Sequence, residues 1–425
     1  MHYLIYSCLI CCLLPVSAKV GGITFYTFDV AFLPLISLVL FKRITSNKSS
    51  EKSLEKFEIL FILFVGVAAI STFLSVNIDA SLVGLLLWLR FLLFYWTVKT
   101  VYTQASFPSS NYVLMIYASL IFLLTIGLIQ FFVDDNFGVV AYYFGESLAE
   151  TSKGFNSSRV SGTSINSNTY GMWIVLLVTT VLVRLLLVKS GKALNLCLLI
   201  ASVFLIFASG SKTSFLHLSV TLLLSIIIIN NQFGGGLTRT SIAGIGTLLL
   251  STLFLMSPLG STVLESFMDR IFDFESASYF QRTESVNGVV DLMNNIHYLI
   301  IGTGSHVYYE TLESIGVYNT TYAEYVDVIN KRAGIHNIFL NMLTSYGIVG
   351  VTLLFLSFAL AIARVFKLYK YQSKSLQLVC GSIAVLAALV PAQLNAVVWS
   401  INFFPWMIFF VASLLGNLQR EKAYR

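Results

Sequence analysis

Apolar runs of membrane-spanning length recur along almost the whole chain of 425 residues, and this pattern restricts its fold more than any other feature. A membrane helix needs about 20 consecutive apolar residues, because its backbone must satisfy its own hydrogen bonds within lipid. Only 11% of the residues are charged, against about 25% in soluble proteins. We therefore predict an all-α polytopic membrane protein, a single membrane domain over 1–425, with about twelve transmembrane helices, at 3–20, 23–41, 57–76, 80–98, 111–133, 169–188, 193–208, 213–229, 240–257, 336–363, 376–395 and 400–418.

The first apolar run also resembles a secretory signal, since Val16-Ser17-Ala18 has the form of a cleavage site. No basic residue precedes the run, however, and a second apolar run follows almost at once, so we interpret it as a retained helix. All five cysteines fall within predicted spans, and no Cys-x-x-Cys or Cys/His spacing occurs outside them. We expect neither a disulfide framework nor a metal site.

Basic residues favour a topology with both termini in the cytoplasm, because short cytoplasmic loops are enriched in Lys and Arg. In that topology 17 of the 26 Lys and Arg residues lie on the inner side and 8 on the outer side, with Arg90 inside a span. A first outer loop at 134–168 and a large outer loop at 258–335 then face away from the cytoplasm. The net charge of +6 results from the inner bias, and it does not indicate nucleic acid as a partner.

Two polar patterns stand at the ends of these outer loops. Arg159–Asn168 is dense in hydrogen-bond donors and precedes a span, so it could hold a phosphate or a carbohydrate, or form a solvated loop with a helix cap. His336 and Asn337 open an apolar helix directly after the large outer loop. Helix starts bind anions, because their first N–H groups are unpaired and the helix dipole is positive there. His336 could alternatively do no more than cap its helix.

Arg90 is a charged residue within an otherwise apolar predicted span. A charge inside a membrane is costly, and by default it indicates a functional cavity or an ion pair. We therefore treat Arg90 as a candidate contact for an anionic substrate, with neutralisation by Asp79 or another carboxylate as the structural alternative.

Four short segments occur in a fixed order along the chain: Arg159–Asn168, Ser209-Gly210-Ser211-Lys212-Thr213, Arg282 with the later Gly302-Thr303-Gly304, and His336-Asn337 through Gly347-Ile348-Val349-Gly350. Together they resemble the O-antigen polymerase and O-antigen ligase family of bacterial envelope enzymes, over roughly 159–355. One position departs from the family, which usually has arginine after the serine where this chain has Lys212. Lysine keeps the charge but lacks the planar guanidinium that binds an anion through two parallel hydrogen bonds.

The resemblance implies an all-helical, GT-C-like glycosyltransferase of the bacterial inner membrane that acts in polysaccharide or lipopolysaccharide biosynthesis. Its donor would be a glycan on undecaprenyl pyrophosphate, and transfer to a hydroxyl would invert the sugar carbon without a metal or other cofactor. Membrane lipid, a glycan or lipid-core acceptor, and a chain-length regulator protein are the partners implied. The outer loops contain no Asp-x-Asp pair suited to Mg²⁺, so we expect cationic side chains to stabilise the leaving diphosphate.

We assign catalytic roles to His336 and Arg282. The ordinary pKa of histidine lies near physiological pH, which suits His336 to orient or deprotonate the acceptor hydroxyl. Arg282 would stabilise the pyrophosphate, although a solvated loop arginine is its alternative. The residues that we assign to substrate binding are Arg159, Lys212, Arg90 and Asn337.

The function that we predict is polymerisation of lipid-linked repeat units into O-antigen, capsule or exopolysaccharide. The extended outer loop and Lys212 favour a polymerase over the alternative, a ligase that transfers the glycan to lipid A-core. A polysaccharide-precursor transporter is a third alternative, because many helices and an intramembrane charge also fit a carrier. The sequence shows no paired halves with matching broken helices, which argues against that class.

Overall fold

The computed structural model describes residues 1–14, 17–20, 23–45, 54–104, 109–133, 160–164, 167–188, 190–233, 286–316, 335, 337–369, 376–392 and 404–423. The elements are α1 (His2–Cys12), β1 (Ser17–Val20), β2 (Ile23–Tyr26), α2 (Thr27–Thr45), α3 (Lys56–Phe73), α4 (Ile78–Gln104), α5 (Ser109–Phe132), α6 (Ser167–Leu187), α7 (Lys192–Ala208), α8 (Lys212–Phe233), α9 (Ile296–Ile301), α10 (Tyr308–Ser314), α11 (Ile338–Tyr369), α12 (Leu376–Ala392) and α13 (Phe404–Ala423).

Six helices in the described part of the chain are long and apolar enough to cross a membrane. They correspond to α3, α4, α5, α6, α8 and α11, and shorter apolar stretches lie in α1, α7, α12 and α13. The prediction of a helical, multi-pass membrane protein is confirmed. The number twelve stays a prediction, and the expected span at 240–257 lies outside the described residues.

The N-terminal segment differs from the sequence-based expectation. The helix expected over 3–20 is wrong, because α1 ends at Cys12 and an antiparallel ribbon of β1 and β2 follows, with Val20 paired to Ile23. Thr27, at the start of α2, donates its hydroxyl to the Cys11 carbonyl at 2.9 Å, which brings the two helix ends together. The sequence gives a physical reason: Pro15 cannot donate a backbone hydrogen bond, and two glycines separate the strands.

Helices α4 and α11 both pack along α3, and α4 also packs along α13. Two ion pairs show the relative directions, because Glu58 and Glu55 at the start of α3 meet Lys99 late in α4 and Arg364 late in α11. Helix α3 is therefore antiparallel to both. The turn after α3 and the starts of α4 and α11 lie together at the opposite end, here called the motif end.

Aromatic side chains fill the space between these helices. The Trp88 ring of α4 meets Phe64 of α3 edge-on with ring centroids 4.8 Å apart, and Phe404 of α13 at 5.8 Å. Such edge-to-face pairs add about 0.5–1.5 kcal/mol each to the free energy gained by burial. These contacts stabilise the packing of α3, α4 and α13 against one another.

Candidate functional site

Helix α11 is broken at Gly347, where φ is 64° and ψ is −177°. A break frees backbone carbonyls on its N-terminal side, and these need new partners when they are buried. The segment 302–305 supplies them: the Thr303 N–H donates to the Thr344 carbonyl at 2.8 Å, and the Gly304 N–H to the Ser345 carbonyl at 3.0 Å. A discontinuous helix is thus stabilised by a segment that comes from another part of the chain.

Glycine is required at this contact because the two backbones approach closely. A Cβ at Gly302 would lie 2.4 Å from the Tyr346 nitrogen, and a Cβ at Gly347 would lie 2.2 Å from the Ile300 carbonyl oxygen. Both residues also have positive φ, which side chains with a Cβ rarely adopt. The glycines of Gly302-Thr303-Gly304 and of Gly347-Ile348-Val349-Gly350 therefore belong to one structural unit.

Side chains of α3 and α4 hold this unit in place. The Ser71 hydroxyl donates to the Ser345 carbonyl at 2.6 Å, and the Trp88 Nε1–H donates to the Tyr346 hydroxyl at 2.8 Å. The Ser81 hydroxyl donates to the Ser305 carbonyl at 3.1 Å. Sequence reasoning missed these residues, because a single serine or tryptophan in an apolar run resembles an ordinary packing residue.

Asn337 begins α11 as its N-cap. Its Oδ1 accepts the Leu340 N–H at 3.0 Å, and its backbone carbonyl accepts the Asn341 N–H at 2.9 Å. Asparagine is among the best N-cap residues for this reason. The structure thus gives Asn337 a structural role, and its part in substrate binding stays a prediction. His336 precedes it directly in the chain but lies outside the described residues.

The other two motif segments also meet. The Val160 N–H donates to the Ala208 carbonyl at 3.2 Å, and the Ser214 hydroxyl donates to the Asn168 carbonyl at 3.2 Å. Ser211 accepts the Ser214 N–H at 3.1 Å and so caps α8. The segment before α6 and the segment before α8 consequently form a second structural unit.

Lys212 occupies the first turn of α8 and is exposed. The backbone N–H groups and the helix dipole make this end of α8 electropositive, and Lys212 adds a full charge to it. An anion at this end would therefore be favoured by the backbone and by the side chain together.

Arg90 forms an ion pair with Asp29 of α2, at 3.1 Å between Nε and Oδ1, rather than with Asp79. Asp79 stands at the start of α4, about 16 Å away along the helix axis. The Arg90 guanidinium also lies 5.5 Å from the centre of the Tyr26 ring, and the other Asp29 oxygen accepts the Tyr26 N–H at 2.9 Å. Asp29 is itself a charged residue within a predicted span, 23–41, and this feature of the sequence could have identified it as the partner of Arg90.

Of the six predicted site residues, the structure places Lys212 on α8, Arg90 on α4 and Asn337 at the start of α11. Arg159, Arg282 and His336 lie outside the described residues, so their roles remain predictions. What the structure brings together is the surrounding motif segments, in two pairs.

Comparison with known proteins gives a match in the part of the chain that contains these motif segments. Residues 196–355 match the family model described as O-antigen ligase. The matched range includes the start of α8, the segment 302–305 and the broken part of α11. Curated proteins gave no match to the chain. The family match confirms, over residues 196–355, the resemblance inferred from the four segments.

Proposed function

We propose that this protein is a glycosyltransferase that polymerises lipid-linked oligosaccharide repeat units at the outer face of the bacterial inner membrane. The observation that carries the proposal is the docking of segment 302–305 into the break of α11, within the matched family domain. Irregular backbone at membrane depth is found where it is buried in protein or lines a polar cavity. The docked segment stabilises α11 at its break, about two to three turns after the helix start that Asn337 caps.

The reaction is a displacement at the anomeric carbon of the donor sugar. The acceptor oxygen forms a bond to that carbon while the bond from the carbon to the diphosphate oxygen breaks. The lipid diphosphate leaves with the electron pair, the configuration inverts, and the acceptor proton passes to a base. We assign the base to His336, because an imidazole can accept a proton near neutral pH.

Negative charge grows on the diphosphate as it leaves, so groups that bind it more strongly in the transition state accelerate the reaction. We assign this role to Arg282, with binding contributions from Arg159 and Lys212. The position of Lys212 in the first turn of α8 supports its role, because the positive end of the helix dipole also attracts an anion there. One well-placed donor in such a site lowers the barrier by about 3–4 kcal/mol.

Arg90 has a different role in this proposal. Its ion pair with Asp29 and its contact with the Tyr26 ring favour a structural role over a contact with substrate. The pair joins α2 and the ribbon to the middle of α4. Arg90 would then contribute to the reaction only by stabilising the fold around the site.

A ligase is the second candidate function, and the description of the matched family favours it directly. The two functions use the same donor and the same displacement, and they differ in the acceptor. A polymerase extends another lipid-linked repeat unit, whereas a ligase transfers the glycan to lipid A-core. The large outer loop and Lys212 support the polymerase.

Reconstitution in liposomes tests the proposal. Purified protein is given lipid-linked repeat units, with or without lipid A-core, and the products are separated by size. A ladder of longer glycans on the lipid carrier is the expected result. Glycan on lipid A-core without a ladder would replace the polymerase with the ligase. Movement of intact donor across the bilayer without a new glycosidic bond would overturn both in favour of a carrier.

A further inference from the structure

The turn between α3 and α4 forms one side of a groove of about 710 Å³ at the motif end. Glu310, in the first turn of α10, forms the other side. The groove is lined by Ser75, Val76, Asn77, Ile78, Asp79 and Glu310. None of these residues belongs to the six site residues predicted from the sequence.

The lining alternates polar and apolar side chains along the turn. Val76 is 49% exposed and Ile78 is 46% exposed, so both present apolar surface beside the polar groups. Asp79 and Glu310 are also exposed, and neither carboxylate forms an ion pair with another residue that the structure describes. Among the described residues, Glu310 accepts one side-chain hydrogen bond, a long one of 3.3 Å from the Asn77 amide. Acceptor capacity therefore remains in the groove.

A hydrogen-bond chain connects the groove to the docked segment. The Ser81 hydroxyl lies 2.8 Å from the Ser75 oxygen and 3.1 Å from the Ser305 carbonyl oxygen. The Asn77 Oδ1 accepts the Ala80 N–H at 3.1 Å and so fixes the start of α4. The wall of the groove is thus held against the same unit that stabilises the break in α11.

We propose that this groove binds the hydroxyl groups of a glycan substrate, at a subsite for sugars remote from the diphosphate. The inference rests on the proposed function and specifies where its glycan lies. The carboxylates accept hydrogen bonds from sugar hydroxyls and an amide can both accept and donate them, while Val76 and Ile78 suit the apolar faces of sugar rings. The two carboxylates would repel a diphosphate, so the occupant is the uncharged part of the substrate.

Direct binding to the full-length protein tests the subsite. The probe is the repeat-unit oligosaccharide of the host strain, released from its lipid by mild acid, and saturation-transfer NMR measures its Kd. The variant Asp79→Asn combined with Glu310→Gln keeps the shape of both side chains and removes both charges. We expect its Kd to rise about tenfold, because hydrogen bonds to charged acceptors are the stronger ones. Glu310→Ala alone should raise Kd several-fold.

Glu313→Gln is the matched control, since Glu313 is exposed on the same helix and does not line the groove. Its Kd should stay within about twofold of the parent, because a solvent-exposed carboxylate outside the groove makes no hydrogen bond to the glycan. Equal Kd values for the double variant and the parent would overturn the subsite, as would an equal loss in Glu313→Gln. The subsite would also be overturned if the parent did not bind the free oligosaccharide.

The liposome assay separates this inference from the proposed function. Transfer that continues while the groove variants bind normally removes the subsite and leaves the function. Glycan binding that depends on Asp79 and Glu310, without any transfer by the parent, removes the function and leaves a glycan-binding groove. In an active protein, the double variant should raise KM for the glycan with kcat within about twofold, because binding lost equally in ground and transition states changes KM alone.

Discussion

The Nε atom of Arg90 lies 3.1 Å from the Oδ1 atom of Asp29, and the two side chains are only 14% and 5% exposed. The pair is positioned near the middle of α4, where either charge alone would be poorly solvated. Each charge therefore stabilises the other in this poorly solvated position. The ion pair and the contact with the Tyr26 ring together hold the ribbon and α2 against α4.

Removing both members of this pair should cost less than the two single losses added together. Arg90→Ala leaves a buried carboxylate without its cation, and breaking a buried pair in this way costs about 3–5 kcal/mol. We expect a clear drop in the unfolding temperature of the purified protein for Arg90→Ala and for Asp29→Ala. The double variant should lose less stability than the sum of the single losses. Strict additivity would contradict the pairing.

The break in α11 leads to a second prediction. Gly347→Ala places a Cβ 2.2 Å from the Ile300 carbonyl oxygen and forces alanine into a positive φ, so the docked segment must move. Backbone strain of this kind costs about 1–3 kcal/mol, and the lost hydrogen bonds add to it. We expect lower thermal stability and loss of transfer activity.

Gly66→Ala is the control for that variant. Gly66 lies within α3, and apart from its chain neighbours and the backbone of its own helix nothing comes within 4 Å of a Cβ built there. Alanine is the better helix former by about 1 kcal/mol, so this variant should be as stable as the parent or more stable. If Gly347→Ala were equally harmless, the break would have no structural importance.

The sequence predicts local features of this fold better than long-range ones. Hydropathy places α3 and α5 within a few residues of their observed ends, because a membrane helix satisfies its own backbone. The break in α11 is invisible to that reasoning, since 336–363 is predominantly apolar without Asp, Glu, Lys or Arg, and glycine is tolerated in membrane helices. The break depends on contacts with segment 302–305, which only the tertiary fold provides.

The candidate site shows the same limit. The order of four motifs predicts the family, and Arg90 is recognisable as an anomalous charge in a span. Its partner Asp29 lies 61 positions earlier in the chain, and no periodic pattern connects the two. The nearer carboxylate, Asp79, is the natural choice from sequence, but it faces the groove at the motif end. Pairing between distant residues requires the packed helices.

Lys212 tests whether the site needs only charge at that position. Lys212→Arg should keep at least the parent activity, because arginine retains the charge and adds a second parallel hydrogen bond. Lys212→Gln should lower kcat about 10²-fold, as expected for loss of one donor to a developing anion. Initial rates of transfer in liposomes measure both variants. Parent-like rates for Lys212→Gln would remove this residue from diphosphate binding.

Substitutions of Arg282 test whether that position needs the planar guanidinium as well as the charge. If Arg282 binds the diphosphate through two parallel hydrogen bonds, Arg282→Lys should lower kcat/KM by about tenfold or more even though the charge is kept. Arg282→Gln should lower it further. The same liposome assay gives both values, with the amount of inserted protein measured in parallel. Equal activity of Arg282→Lys and the parent would mean that charge alone is sufficient there.

His336 and Asn337 are neighbours in the chain with different predicted roles, and they can be separated experimentally. His336→Ala should abolish transfer while the protein remains inserted and folded, because it removes the proposed base but not the cap of α11. Asn337→Ala removes the hydrogen bond from the Leu340 N–H and should lower the unfolding free energy by about 1 kcal/mol, with partial activity retained. Thermal unfolding and transfer rates are measured on the same preparations. If His336→Ala instead lost stability and kept its rate per folded molecule, His336 would be a structural residue and the base would have to be sought elsewhere.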